Sequence, residues 1–492
     1  MIDAPLRTMI DEVLPRLRKL LGSKVEPHRR HAHLKASQML APAFSPLDLS
    51  PLTDRAERLV KAARAAGADA ADAVALRTMS LGVEVRDGGV EESERAEGDD
   101  LGLRVLVGHR QAMVSTNDLA DDGAAALAER AVAMARVTPE DEFAGLADAN
   151  LLARDFPDLD LVDPKLPTVG ELEVRARAAE RAALAIKGVT KSGGASASAG
   201  IGGMVLVTSH GFRGTYVGSN HGLSMTAIAG DGTDMERDYD YSSVRHSADL
   251  EHPEMIGRSA GERAVARLNP RKVSTRRVPI VFDQRSAGSL VSHLASAANG
   301  ASVARKTSFL RDKMGVKLFA DGIHIVDDPL RTRGLRSHPF DGEGVACRRI
   351  ALVEDGVLRS WLLDSATARE LGLVTTGNAQ RAGASVTSPG SSNLHLEPGR
   401  ASPDALIADI ADGFYVTDLI GVGANMVTGD YSRGASGFWI ENGKRTYPVS
   451  EVTIAGHLLD IFRTLTPAND LEFRYGTNAP TLRVEGLTVA GQ

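Results

Sequence analysis

The chain has few of the residues that cross-link proteins or anchor them in membranes. It contains a single cysteine, Cys347, so an intramolecular disulfide and a four-cysteine zinc site are both excluded. No apolar run reaches the length of about 18 residues that a membrane-spanning helix needs. Acidic residues (Asp3, Asp11 and Glu12) stand where a signal peptide would be basic and then apolar. We therefore expect a cytoplasmic protein in which the lone thiol has a packing role.

Excess positive charge is also missing. The formal net charge is -7 and the isoelectric point is about 6.0, whereas nucleic-acid-binding domains usually present a basic face. Hydrophobic residues make up 43% and charged residues 25% of the 492 residues, which is typical of globular proteins. Because single cores stop growing at about 250 to 300 residues, we expect two domains and neither nucleic acid nor membrane as a partner.

Residues 1–50 differ in composition from the rest of the chain. They combine a short amphipathic stretch, a basic cluster (28–31) and a proline-spaced segment (42–51). The histidines in this region have arginines and almost no acidic residue beside them, which disfavours a bound cation. We interpret 1–50 as a partly disordered extension with few buried apolar groups. A start near Met39 and a lineage-specific extension are both open alternatives.

Residues 51–270 have the pattern of an N-terminal α+β domain. Leu59, Ala63 and Ala66 recur at helical spacing before Gly67, a common helix end. Alternating apolar residues on either side of Asp87-Gly88 predict a β-hairpin. Three more helices are predicted around 127–134, 172–186 and 255–268, and strands over 192–208 and 212–228. The fold class is therefore α+β, with helices on a mainly antiparallel sheet.

A second, β-rich domain is predicted over residues 271–492. Asn269-Pro270 stops the preceding helix, and 278–282 then has the composition of a strand. Strands are predicted over 350–354 and 357–363 around Asp355-Gly356, with a helix at 290–298 and glycine-rich loops later in the chain.

Local motifs of known chemistry are nearly absent. A zinc peptidase helix needs two imidazoles about one turn apart and a carboxylate beside the first, yet no histidine here precedes a glutamate. Gly300–Thr307 lacks the second glycine of a phosphate-binding loop, because Arg305 occupies that position. Ser432 is a candidate hydrolase nucleophile only if a histidine approaches it. Asp327-Asp328 before proline suits a turn as well as a carboxylate pair.

Several long strings in the second half resemble the TldD/PmbA metalloprotease family, whose members have also been described as modulators of DNA gyrase. The strings are Thr307–Leu310, Asp327–Pro329, Pro339–Gly344, Thr375–Asn378, Gly429–Trp439 and Tyr447–Gly456. The resemblance extends into the first domain from about Leu52 and implies a chain of the TldE/PmbA type.

That resemblance also predicts what the chain lacks. Catalytic TldD-type members carry a His-Glu-x-x-x-His zinc helix, and its three functional positions fall here on Ser292, His293 and Ala297. Neither histidine position holds a metal ligand. The resemblance therefore implies that this chain has no catalytic residues of its own and binds no cofactor, and that zinc belongs to a TldD-type partner.

The resemblance further implies a heterodimer with that partner, which acts on unfolded or flexible peptides. We expect Gly429–Trp439 to be a loop that lines a peptide channel, with Asp430, Tyr431, Ser432 and Arg433 as the candidates, although a tight structural turn explains the same residues. Two other hypotheses stay open. One is a homodimeric peptide-binding or regulatory protein without protease activity, and the other is an independent hydrolase that uses Ser432 or a composite metal site.

Overall fold

The structure is a computed structural model that describes residues 47–117, 123–381 and 385–491. These residues belong to one compact unit, Phe44–Gln492. The predicted disorder of the N-terminal extension falls almost wholly on residues outside the described ranges and stays a prediction, as does the domain boundary at residue 270. Within the described ranges, no helix has both the length and the apolar character needed to cross a bilayer.

The first half of the chain is built on one antiparallel sheet of six long strands in the order β3-β2-β1-β4-β5-β6. The predicted hairpin is present, and Asp87 and Gly88 at its turn have φ angles of 50° and 71°, as a two-residue type I′ turn requires. The strands are β1 (Ala70–Arg86), β2 (Gly89–Val107), β3 (Arg110–Thr116), β4 (Val189–Thr208), β5 (Arg213–Ala229) and β6 (Glu236–Val244).

Four helices cover one face of this sheet. The odd-numbered residues of β1 share that face because side chains alternate along a strand: Ala73 packs in a cluster with the first two helices, and Val85 in a cluster with the last two. The α+β prediction with helices on a mainly antiparallel sheet is thereby confirmed. The helices are α1 (Ser50–Ala65), α2 (Ala124–Val137), α3 (Val169–Leu184) and α4 (Pro253–Ala266).

The start of α1 includes the last residues of the N-terminal extension. Leu49 is only 7% exposed and belongs to the core cluster beneath α1 and α2. Its carbonyl oxygen accepts hydrogen bonds from the backbone N–H and the hydroxyl of Thr53, both at 2.9 Å. The segment before Leu52 therefore contributes a buried apolar side chain, because the first turn of the helix is anchored there.

The other face of the sheet packs against the second half of the chain. Phe340 lies in one apolar cluster with Leu206 and Phe212, and its ring is 5.1 Å from that of Phe212. Beside this cluster, the buried Asp72 carboxylate accepts hydrogen bonds from Arg104 at 2.7 Å and from Arg381 at 2.6 Å. The two halves are thus joined by aromatic packing and by a buried ion cluster.

The second half is β-rich, as predicted, and its largest sheet closes on itself. Strands β16, β15, β14, β7 and β19 follow one another in the sheet, and a further pairing of β16 with β19 completes a five-stranded barrel. Those strands are β7 (Arg276–Phe282), β14 (Asp412–Ile420), β15 (Asp430–Glu441), β16 (Lys444–His457) and β19 (Leu482–Ala490).

Shorter elements complete the second half. A five-stranded sheet has the order β10-β9-β8-β13-β18. The helices are α5 (Gln284–Ala297), α6 (Gly300–Ala304), α7 (Ser365–Glu370), α8 (Pro403–Ile407) and α9 (Leu458–Thr464). The remaining strands are β8 (Ile325–Asp327), β9 (Ile350–Glu354), β10 (Val357–Leu358), β11 (Ala379–Gln380), β12 (Ser388–Pro389), β13 (Leu394–Leu396), β17 (Thr466–Pro467) and β18 (Thr477–Asn478).

Helix α5 follows the first barrel strand directly and packs into the barrel core. Asp283 caps its first turn by accepting from the backbone N–H of Ser286 at 2.9 Å. Leu290 and Leu294 on one side of the helix join the same core cluster as Phe414 of the barrel. The predicted helix at 290–298 is confirmed, and it is held by capping and apolar packing.

Two predictions about local structure in this half are wrong. Gly429–Trp439 was expected to form a loop, but all but its first residue lies in β15, because Asp430–Glu441 pairs with β16 and, from Gly434, with β14. The strand expected over 357–363 ends at Leu358, and the chain then turns so that Trp361 and Leu362 enter the core. The first prediction was wrong because the glycines of this segment were interpreted as loop residues. In the structure, Gly437 lies in a strand so close to its neighbour that a Cβ there would overlap the backbone of Tyr415.

Candidate functional site

Helix α5 carries the three positions onto which the family's zinc motif falls. Ser292 is half-buried, and its hydroxyl donates a hydrogen bond to the carbonyl oxygen of Gly288 at 3.0 Å. Ala297 is fully buried and has no side-chain donor atom. In residues 47–117, 123–381 and 385–491, no three His, Cys, Asp or Glu side chains are grouped to hold a metal ion. The residues present on this helix do not fit a zinc site.

His293 brings α5 into contact with the start of β15. Its ring lies edge-on to that of Tyr431, with 5.9 Å between the ring centroids. Burial and, to a smaller extent, the Arg433 guanidinium lower the pKa of His293 to about 4. The imidazole is therefore neutral near pH 7 and is poorly suited to general acid or base catalysis there, which needs a pKa close to the working pH. Helix α5 and the start of β15, which are far apart in the sequence, therefore meet at His293 and Tyr431.

The four channel candidates alternate along β15, as residues of a strand must. Asp430 and Ser432 are exposed, and the Asp430 carboxylate accepts from the hydroxyl of Thr428 at 2.6 Å. Tyr431 is buried, and burial raises its pKa to about 12. Arg433 is half-buried. The candidates therefore do not form a common lining, because Tyr431 turns away from the side on which its neighbours lie.

The outer edge of this strand segment is already covered by the chain itself. The backbone N–H of Ser432 donates to the carbonyl oxygen of Gly423 at 2.7 Å, and the N–H of Asn425 donates to that of Asp430 at 2.8 Å. An added peptide strand would have to displace this loop. Within the described ranges, Ser432 has no histidine partner, so the arrangement gives no support to a serine hydrolase.

A cleft of about 440 Å³ has Ser292 among the residues that line it. It runs between the edge strand β6, helix α5 and two loops of the second half. Alternation along β6 brings Tyr239 and Tyr241 to the same side of the strand. The aromatic and charged residues that line the cleft are Tyr239, Tyr241, Tyr475, Arg285, Arg336 and Arg474. The lining is thus rich in hydrogen-bond donors and includes no carboxylate.

Side chains cap the outer edge of β6 along this cleft. Arg285 donates to the carbonyl oxygen of Tyr239, and Arg474 donates to that of Tyr241, both at 2.9 Å. Asp238 accepts from the N–H of Tyr239 at 2.7 Å, and Asp240 accepts from the N–H of Tyr241 at 2.8 Å. The outward backbone groups of Tyr239 and Tyr241 are therefore satisfied, which closes this part of the edge to pairing with a further strand.

The same arginines are held by ion pairs. Arg285 lies 2.9 Å from Asp238, and Arg474 lies 3.3 Å from Asp240 and 2.6 Å from Glu251. Their charges are largely compensated by these buried or half-buried carboxylates. Arg285 and Arg474 therefore have a structural task, which is to dock the edge of the first sheet onto the second half of the chain.

Arg336 differs from these two arginines. It is exposed, and within the described ranges its guanidinium has no hydrogen bond or ion pair with another residue. The Arg336 side chain packs directly against Gly476, and a Cβ atom at position 476 would overlap its guanidinium group. Burial raises the pKa of Tyr241 and of Tyr475, so both phenols stay protonated and available as donors. The cleft therefore offers an uncompensated cation beside neutral hydroxyl donors.

Sequence reasoning missed this cleft. The alternating Asp238-Tyr239-Asp240-Tyr241 string was a usable signal, because in a strand it puts both tyrosines on one side and both carboxylates on the other. Nothing in the sequence places Arg336 or Arg474 beside that string, since both come from distant loops. The fold alone brings them together.

Comparisons with protein-family models match three segments of this chain. Residues 71–135 match domain 1, residues 162–268 match the central domain, and residues 275–491 match the C-terminal domain of the PmbA/TldA metallopeptidases. The C-terminal match covers the barrel and α5, and the other two cover most of the six-stranded sheet and three of its helices.

Similar proteins cover nearly the whole length of the described chain. Metalloprotease PmbA of Escherichia coli O157:H7 is 39% identical over 426 residues, which is 86% of this chain and 93% of that protein. A PmbA homolog of Haemophilus influenzae is 37% identical over 435 residues, 88% of this chain and 94% of that protein.

Solved structures agree with the architecture. A structure from Bacteroides thetaiotaomicron that is named as a modulator of DNA gyrase superposes with a TM-score of 0.82 at 29% identity, covering 89% of this chain and 98% of that one. TldE from Thermococcus kodakarensis has the same fold, with a TM-score of 0.79 at 20% identity and coverage of 89% and 100%. On the domain matches and the sequence identities together, this chain belongs to the PmbA/TldD metallopeptidase family.

Proposed function

We propose that this chain is the non-catalytic subunit of a PmbA/TldD-type metallopeptidase complex. The main support for the proposal is that α5 is an intact helix without metal ligands at the histidine positions of the family's zinc motif. The helix is capped by Asp283 and packed into the barrel core, but Ser292 and Ala297 stand where the family's zinc ligands belong. A zinc peptidase needs ligands at those positions, because the metal must be held while it activates a water molecule.

The partner in this proposal is a TldD-type subunit that carries the complete zinc motif. Zinc in that subunit supplies the activated water for hydrolysis, and no zinc or other cofactor is bound by this chain. The substrates are flexible or unfolded peptides in the cytoplasm. The family membership, the neutral state of the His293 imidazole and the lack of a metal ligand at Ser292 and Ala297 support this division of labour.

This chain would contribute binding and positioning of the peptide. The strand edges next to α5 argue against recognition by addition of a β-strand, since β6 is capped by four side chains and Asp430 to Ser432 by the loop at 423–425. Recognition through side chains that line the cleft is the mode that remains beside α5.

Two measurements on the purified chain test the proposal. Elemental analysis should find well under one equivalent of zinc, because neither ligand position holds a ligand. Affinity purification of the tagged chain from its own organism should bring down a TldD-type subunit. Stoichiometric zinc would overturn the non-catalytic assignment, and a homodimer without that subunit would favour a peptide-binding or regulatory protein.

A further inference from the structure

The charged residues that line the cleft beside α5 are all positive. Three guanidinium groups line it and no carboxylate does. Asp238 and Asp240, with Glu251, are engaged by Arg285 and Arg474. Arg336, which also lines the cleft, is left without a counter-ion within the described ranges.

The surroundings of Arg336 favour an anion with hydrogen-bond acceptors. Tyr241 and Tyr475 are neighbours, with ring centroids 5.4 Å apart, and their hydroxyl groups are neutral donors. The Nε atom of Arg474 is buried and has no hydrogen-bond partner among the described residues. Donors without acceptors therefore accompany the free positive charge on one side of the cleft.

We propose that this cleft binds a carboxylate group of an extended peptide, with Arg336 as the ion-pairing residue and the tyrosine hydroxyls as additional donors. Arginine matches a carboxylate in shape as well as in charge, because its planar guanidinium offers parallel N–H groups. A volume of about 440 Å³ lies within the ordinary range for small-ligand sites, about 300 to 1,000 Å³, and is sufficient for a short peptide segment.

The carboxylate has two sources in a peptide: its C-terminus and the side chains of Asp or Glu. Both offer the same two oxygens to Arg336. The capped backbone groups of Tyr239 and Tyr241 disfavour pairing of a peptide strand with this part of β6, so side-chain recognition is the binding mode that we expect in this cleft. The inference rests on the proposed function in one respect only, which is that the ligand is a peptide.

Calorimetric titration of the whole 492-residue chain with four N-acetylated Gly/Ser-rich decapeptides tests the inference. One peptide has a free C-terminus, one is amidated, one is amidated with a central Glu, and one is amidated with a central Gln. We expect binding of the first and third peptides to be about tenfold tighter, or more, than that of the two peptides without a carboxylate. The relative affinities of the first and third peptides then identify the favoured source.

Arg336→Gln and Arg348→Gln are the matched variants. Both remove the charge of an exposed arginine, but Arg348 is outside the cleft lining. We expect Arg336→Gln to abolish the carboxylate preference while its thermal midpoint is unchanged, and Arg348→Gln to keep the preference. Equal affinity of the chain for all four peptides would overturn the inference. If both variants lost the carboxylate preference to the same extent, the preference would reflect general charge attraction, and the inference would also be wrong.

The two proposals fail in different ways. If the carboxylate preference is absent but the chain still co-purifies with a zinc-containing TldD-type subunit, the carboxylate site is wrong and the proposed function stands. If the preference is present but no such subunit is found, the chain is a peptide-binding protein of its own.

Discussion

Ser292, His293 and Ala297 stand at the three positions of α5 onto which the family's zinc motif falls. Each residue has a role in packing or hydrogen bonding: Ser292 bonds to Gly288, His293 contacts Tyr431, and Ala297 fills the core. These residues therefore take part in the hydrogen bonding and packing of α5. Introduction of the zinc motif would have to disrupt these contacts.

The triple variant Ser292→His, His293→Glu and Ala297→His tests this point. We expect it to bind zinc weakly and to have no peptidase activity by itself. The 297 position is fully buried, so an imidazole there is overpacked, and a metal site also needs a third ligand and supporting hydrogen bonds. Zinc content after dialysis and cleavage of a flexible peptide are the two readouts. Cleavage at a rate comparable with a TldD-type enzyme would mean that the rest of the catalytic site is still present.

The pKa of His293 predicts how the stability of the protein depends on pH. Its pKa in the folded chain is about 4, below the ordinary value of 6.5, so between these pH values the unfolded chain binds a proton that the folded chain does not. The contribution of this residue to the free energy of unfolding is therefore fully present above about pH 6.5 and is lost as the pH falls towards 4.

Urea unfolding of the wild type and of His293→Gln measures that contribution. The difference in stability between the two proteins should shift steadily in favour of the variant as the pH is lowered from 7 to 4.5. His109→Gln is the matched control, because His109 is exposed. A difference between wild type and His293→Gln that does not depend on pH would show that burial does not desolvate the imidazole.

Elements of secondary structure were predictable where local signals act alone. Gly67, with a φ angle of 97°, ends α1 as expected, and Asp87-Gly88 forms the expected hairpin, since both depend on the conformations of one or two residues. The strand β15 was missed because its glycines are required by close approach to neighbouring strands. Close approach is a tertiary property that local propensity does not report.

The start of α1 gives a prediction at the scale of the element. Leu49→Ala removes a side chain that is 7% exposed, and we expect a loss of about 2 to 4 kcal/mol in the free energy of unfolding, as for other buried leucines. Val137→Ala is the control, because Val137 at the end of α2 is 83% exposed. The shift of the urea midpoint measures both. A negligible effect of Leu49→Ala would show that Leu49 does not anchor the first turn of α1.

At the scale of the whole molecule, the family and the α+β class could be inferred from the sequence, because long strings such as Gly429–Trp439 and Tyr447–Gly456 are specific even when their structure is mispredicted. The cleft could not be inferred. Its tyrosines and arginines come from an edge strand of the first half and from α5 and two loops of the second half. Arg285 and Arg474 dock onto β6 and so help to bring them together.

The division of labour between subunits is the central claim, and a peptidase assay with three arms tests it most directly. The rate of cleavage of a flexible peptide is measured with this chain alone, with the TldD-type subunit alone, and with both at equal concentration. We predict no cleavage by this chain alone and a rate for the mixture well above that of the TldD-type subunit alone. Chelator-sensitive cleavage by this chain alone, or a mixture no faster than the TldD-type subunit, would contradict the account.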